Sequence, residues 1–145
     1  KMMQYMLHDS VGNMVALQKE IDYLNNYIAL YRLRFKDKFC VNFDCNVTDT
    51  SAQVPSLVLI PLVENALKHG VVNDPEYPIE INLIITEHKL TFIISNKIND
   101  YQKDGSSGIG LDNVNKRLAL LYPNRHEMLV NNNGLNYKTT LIIWL

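Results

Sequence analysis

Apolar and aromatic side chains recur at three- and four-residue steps through residues 14–35, at Leu17, Ile21, Leu24, Ile28, Tyr31 and Phe35. That spacing puts one row on one face and predicts a long amphipathic helix. Tyr23, Tyr27 and Leu30 widen the row, so the helix is expected to pack on more than one partner. Residues 1–10 read as the end of an earlier helix, broken at Gly12 and Asn13. The period then changes. Residues 38–47 alternate and read as a strand, and "TDTSAQVP" reads as a loop. Residues 56–70 are mostly apolar and predict a helix stopped by Gly70. In "IEINLIITEHKLTFIISN", Ile81, Leu83 and Ile85 share one face, as do Leu90, Phe92 and Ile94, which predicts a hairpin. "KINDYQKDGSSGIG" is a polar loop, "LDNVNKRLALLYP" a helix ended by Pro123, and residues 126–131 and 137–145 are closing strands around "NNNG".

Strands joined mostly by hairpins, with two helices to cover one sheet face, predict an α+β two-layer sandwich with a separate N-terminal helical extension. The totals agree with one domain and a helical appendage. The chain has 145 residues, 47% hydrophobic and 20% charged, enough apolar surface for a sizeable core. A net charge of −1 offers nothing for nucleic acid or an anionic membrane surface to bind. No run approaches the ~18 apolar residues of a membrane span, and the N-terminus lacks the parts of a signal peptide. The start in mid-pattern, without Met, suggests an excised fragment. Cys40 and Cys45 would fall on opposite faces of a strand, so neither a disulfide nor a metal site is expected. Buried, reduced thiols of a cytoplasmic protein are the expectation.

Two stretches could carry chemistry. "SLVLIPLVENALKHG" begins almost wholly apolar and ends in Glu64, Asn65, Lys68 and His69. Asn65, Lys68 and His69 share a face, and Glu64 lies one step from Lys68. An Asn oxygen suits Mg²⁺, which keeps waters and leans on phosphate; Lys is a point charge for phosphate; Glu can orient or deprotonate an attacking group. The same residues would also serve as the solvated end of an ordinary helix, with an exposed Lys–Glu pair. The second stretch is "DGSSGIGLDNVNKRL". Gly108 and Gly110 directly before a helix let backbone N–H groups close on a phosphate, although glycine before a helix is more often a simple turn.

In this order, "VPSLVLIPLVENALKHG", a hairpin and "GIGLDNVNKRLALLYP" resemble the ATP-binding domain of LytS-type sensor histidine kinases, within the wider Bergerat-fold superfamily. Upstream, "LQKEIDYLNNYIALYRLRF" is similar to that family's helix leading into the catalytic domain. The resemblance implies a Bergerat fold over residues 37–145, preceded by a helical remnant of the dimerisation region over residues 1–36. It implies ATP and Mg²⁺ as cofactors, with Asn65 as metal ligand and Glu64 as the catalytic base or orienter. Lys68 and His69 would lie near the phosphates. Ser106, Ser107, Gly108, Ile109, Gly110 and Leu111 would form the phosphate lid and helix start, and Asn113 and Arg117 belong to the signature that follows. Asn96 takes the place where many relatives carry an adenine-binding Asp. Its amide oxygen can accept the same bond without charge, weaker by about 1 kcal/mol. The glycine box is thinned as well, with Ser106 where a third glycine could stand.

The implied activity is that of a protein-histidine kinase passing the γ-phosphoryl to a histidine outside the chain, the isolated fragment being unable to autophosphorylate. The implied partners are the dimerisation domain with that histidine, a cognate response regulator and a second copy in the full-length protein, which would be anchored in the cytoplasmic membrane. Among the four histidines, His8 in "LHDSVG" resembles an acceptor of another kinase group. The stretch from His8 to Glu64 holds one long helix, with no room for the helical hairpin an acceptor needs, and the family's "PHFLFN"-like motif is absent. His8 is therefore expected to be a helix-end or loop histidine. His88 and His126 are expected at the surface. The rival readings are a degenerate nucleotide-binding scaffold, motivated by Asn96 and the thinned glycines, and another ATPase of the superfamily.

Overall fold

A computed structural model of the chain describes residues 14–47, 52–98 and 108–145; for residues 108–110 the backbone alone is described. Seven strands and three α-helices follow in the order β1 (Met14–Ala16), α1 (Leu17–Phe35), β2 (Val41–Val47), β3 (Gln53–Pro55), α2 (Ile60–His69), β4 (Ile79–Thr86), β5 (Lys89–Lys97), α3 (Gly108–Leu121), β6 (His126–Asn132) and β7 (Asn136–Trp144). The result is an α+β sandwich, as the pattern predicts.

The hairpin of β4 and β5 sets the centre. Ile81 stands opposite Ile94, Leu83 opposite Phe92 and Ile85 opposite Leu90. Phe92 and Leu90 in turn face Leu141 and Ile143 of β7. Period-two alternation therefore places one continuous apolar surface on one face of the sheet. Glu87 and His88 turn the hairpin with φ of 50° and 67°, the left-handed pair that suits the strands' twist. The sheet order is β2-β4-β5-β7-β6. Only the β2–β4 pair among these is parallel, because the chain between them must cross over through β3 and α2. β1 and β3 form a separate antiparallel pair.

The helices cover the apolar face. α2 turns Leu62, Val63, Ala66 and Leu67 inward, and α3 does the same with Leu111, Val114 and Leu118. The leading helix does not stand apart in packing. Leu17, Ile21, Leu24 and Ile28 are buried in the same hydrophobic core as the sheet residues, while Leu30 and Leu33 remain exposed.

Boundaries differ where local geometry intervenes. Residues 14–16 pair with β3 and delay the start of α1. Lys36–Lys38 form a 3₁₀ turn, so β2 begins at Val41. α2 begins at Ile60, because the turn before it holds Leu57 at φ 58°, which no helix accepts. Cys45 is exposed and Cys40 half-buried, contrary to the expectation of buried thiols. β2 is an edge strand, and much of its length lacks cover. His88 is exposed as expected; His126 is half-buried, with a ring nitrogen 2.9 Å from the Tyr122 carbonyl oxygen.

Candidate functional site

The polar residues of α2 occur where the helix leaves the core. Inward positions Leu62, Val63, Ala66 and Leu67 are buried, so Glu64 and Lys68 emerge exposed while Asn65 and His69 are half-buried at the margin. Among the described residues the ion pair is Lys97–Asp74, and none joins Glu64 to Lys68.

The end of α2 is locked to the end of β5. Gly70 N–H donates to the Ala66 carbonyl at 2.8 Å, and Val71 N–H to the Lys97 carbonyl at 3.0 Å, with Gly70 bridged to Ile98. Gly70 is needed here for space. Its backbone is extended, with φ −92°, so it is not the left-handed cap that a helix-stopping glycine usually is. A Cβ at Gly70 would lie 2.5 Å from the Ala66 carbonyl oxygen and 2.9 Å from the Cβ of Asn96. Asn96 is thereby pressed against the helix end. It is 6% exposed, and its Nδ2 donates to the Lys97 carbonyl at 3.2 Å. With the amide nitrogen committed, Oδ1 is the atom left as an acceptor.

α3 packs against α2. Gly108, Ile109 and Gly110 lie within its first turn, so the glycines open the helix instead of preceding it. The first N–H groups of a helix have no partner within it, and here they include those of Gly108, Ile109 and Gly110. Asn113 is exposed on the same helix and Arg117 is half-buried. Burial raises the pKa of Glu20 in α1 above the ordinary carboxylate value, opposed by hydrogen bonds from the Leu57, Leu59 and Val58 amides and last by the charge of Arg117. His8, Ser106 and Ser107 lie outside the described residues.

The fold brings α1 into this neighbourhood, which the motifs alone did not suggest. Burial raises the phenol pKa of Tyr23, and the charges of Glu64 and Glu20 add to the rise. Burial does the same to Tyr27, with Tyr31 and then Glu64 adding. Two tyrosines of α1 thus lie within reach of the charge of Glu64 on α2. Their signal in the sequence was the widened stripe. Glu20 had a clearer one: a charge within the apolar row, one residue before Ile21 and three after Leu17.

A family model described as Histidine kinase matches residues 1–39. The sensor protein LytS of Staphylococcus saprophyticus is 31% identical over 133 residues, which is 80% of this chain and 22% of that protein. This chain belongs to the LytS-type sensor histidine kinases. The sensor histidine kinase YpdA of Escherichia coli is 30% identical to the LytS-type chain over 120 residues, 74% of the chain and 21% of the relative. The chain spans about a fifth of the length of the curated relatives it matches. Among solved structures, the catalytic domain of histidine kinase ThkA has a TM-score of 0.60 at 16% identity, over 90% of this chain and 94% of that one. Acinetobacter baumannii histidine kinase AdeS has 0.57 at 15% identity, over 91% and 66%. The LytS-type chain therefore carries the fold of a histidine kinase catalytic domain.

Proposed function

We propose that the chain binds Mg·ATP beside α2 and passes the γ-phosphoryl to a histidine on a dimerisation helix outside this chain. The observation that carries this reading is one juxtaposition on a histidine kinase fold. The polar face of α2 emerges at the core margin, buried Asn96 is clamped to the end of that helix, and the glycine-opened α3 packs on it.

The donor set suits the group. Among the described residues, no three His, Cys, Asp or Glu side chains are placed to hold a metal. A divalent ion would draw its ligands from water, phosphate and the Asn65 amide oxygen, which is Mg²⁺ chemistry. Bound Mg²⁺ would neutralise phosphate charge as the phosphoryl moves. Lys68 and His69 would border the phosphates, and the amides of Gly108, Ile109 and Gly110 at the helix start that Leu111 anchors would receive phosphate oxygens. Ser106 and Ser107 precede them in the lid. Oδ1 of Asn96 accepts from the adenine amino group. Glu64 takes or orients the proton of the attacking imidazole. Asn113 and Arg117 support the helix that carries the amides.

Residues 1–36 are the remnant of the dimerisation region and residues 37–145 the nucleotide-binding unit, a division of role, since Leu17, Ile21, Leu24 and Ile28 of α1 share one core with the sheet. The histidine kinase ThkA has been crystallised with the response regulator TrrA; a cognate regulator of this kinase receives its phosphoryl group next. No helix among the described residues is long and apolar enough to cross a membrane. The full-length kinase is a homodimer anchored in the cytoplasmic membrane by other segments, with this chain in the cytoplasm.

Titration calorimetry with Mg·ATP tests the reading. The chain should bind nucleotide in a Mg²⁺-dependent way without labelling itself, and Asn65→Ala should weaken binding at least about tenfold. Label from γ-phosphate-labelled ATP on the isolated chain, lost in His8→Ala, would overturn the reading of His8. No binding at millimolar nucleotide by a folded chain would favour the second reading, a degenerate scaffold without kinase activity, which the uncharged Asn96 motivates.

A further inference from the structure

Helix α2 starts without local help. Leu59 at its N-cap offers no side-chain acceptor, Pro61 occupies the first turn, and no acidic residue stands in that turn. A helix start needs acceptors for its amides and favours negative charge nearby. A carboxylate from far upstream in the chain instead holds the turn just before the helix, at two amides that precede the N-cap. Glu20, on the inner face of α1, accepts from the Leu57 amide at 2.8 Å through Oε2 and from the Val58 amide at 3.2 Å through Oε1. Glu20 is 4% exposed, and both of its carboxylate oxygens are engaged. The turn it holds is an unusual one, since Leu57 sits at φ 58° in a region that side-chain-bearing residues seldom occupy. Such a conformation persists only where its surroundings over-determine it.

We propose that Glu20 is a positioning residue for phosphotransfer: its carboxylate fixes the turn at residues 56–59, and through it the placement of the helix that presents Glu64 and Asn65. The inference rests on the Mg·ATP reading above. The geometry makes α2 a beam held at two ends. Its C-terminal end is pinned to β5 by Gly70 and Val71, and its N-terminal end is held by Glu20. Without the second hold the helix can pivot about the first, and Glu64 and Asn65 move with it. Glu20 thus joins α1 to the turn before α2. A shift of α1 would pass to the site through this one side chain.

The test uses the full-length kinase, with autophosphorylation kcat and KM for Mg·ATP measured below each variant's melting temperature. Glu20→Ala removes both acceptors and should lower kcat/KM more than about tenfold, on kcat and KM together, since small misplacements are costly in phosphotransfer. Glu20→Gln keeps one acceptor oxygen and sets an N–H against the other amide. It should lose roughly three- to tenfold, a partial rescue that a simple packing role would not give. If Glu20→Ala does not fold, the graded loss in Glu20→Gln carries the test. Variants that melt earlier but keep kcat/KM within about twofold would overturn the proposal, as would a Gln variant equal to the parent. Failure of the unsubstituted protein to bind Mg·ATP would instead overturn the nucleotide reading and is seen separately.

Discussion

Replacing Gly70 with Ala adds one methyl group where helix α2 meets strand β5. The backbone there is extended, so Ala meets no torsional penalty, and the whole cost is contact. The new Cβ would lie 2.5 Å from the Ala66 carbonyl oxygen and 2.9 Å from both Cβ and Nδ2 of Asn96. The carbonyl must retreat by at least roughly half an ångström, and it is the acceptor of the Gly70 N–H. Overpacking of this kind costs about 1–3 kcal/mol, and weakening that hydrogen bond adds up to about 1 kcal/mol. We expect Gly70→Ala to lose about 2–3 kcal/mol in urea unfolding, read from the midpoint at constant slope. Because Asn96 is pushed as well, Mg·ATP affinity measured by calorimetry should fall several-fold in the folded variant, where about 1.4 kcal/mol is tenfold. A stability within about 0.5 kcal/mol of the parent, with unchanged nucleotide affinity, would refute the claim that this glycine is a spacing device.

Gly134 should respond to the same substitution for the opposite reason. It has open space around a built Cβ but φ +90°, so Gly134→Ala should cost about 1 kcal/mol by strain alone, visible in urea unfolding and absent from nucleotide affinity. Asp74 supplies a pH prediction. The Glu76 amide at 3.0 Å, and then Lys97 at 3.1 Å, hold its carboxyl below the ordinary value. A lowered folded-state pKa contributes stability above the unfolded value and loses it as pH falls through the folded one. The difference in melting temperature between parent and Asp74→Asn should therefore be present at neutral pH and shrink on acidification through the carboxylate range. A difference that stays constant to the lowest pH would refute it.

Much of the architecture was legible in the residue pattern, because element type is a local property. The alternation of Ile81, Leu83 and Ile85 against Leu90, Phe92 and Ile94 required a strand pair with one buried face, and the spacing of Leu17, Ile21, Leu24 and Ile28 required a helix with one buried row. The polar residues at the end of α2 were legible too, since four polar groups on an otherwise apolar helix need either solvent or a ligand. Boundaries were less legible. The 3₁₀ turn at Lys36–Lys38 and the left-handed Leu57 have no signature strong enough to move a predicted helix or strand end.

What residue order could not supply was which surfaces meet. Nothing in the stripe of α1 says that Tyr23 and Tyr27 come within reach of the charge of Glu64, or that the helix shares the core instead of standing apart from it. Gly70 reads as a stop signal, yet what it provides is room for Asn96, a residue many positions away that approaches only when β5 folds beside α2. Cys45 looks like an ordinary core thiol until its strand proves to be an edge. Glu20 is the sharpest case. A carboxylate within an apolar row marks itself as unusual, but its partners are two backbone amides, and backbone amides are the same at every position. Only folding selects which of them it meets, because hydrogen bonds and steric contact act over a few ångströms in space and carry no record of distance along the chain.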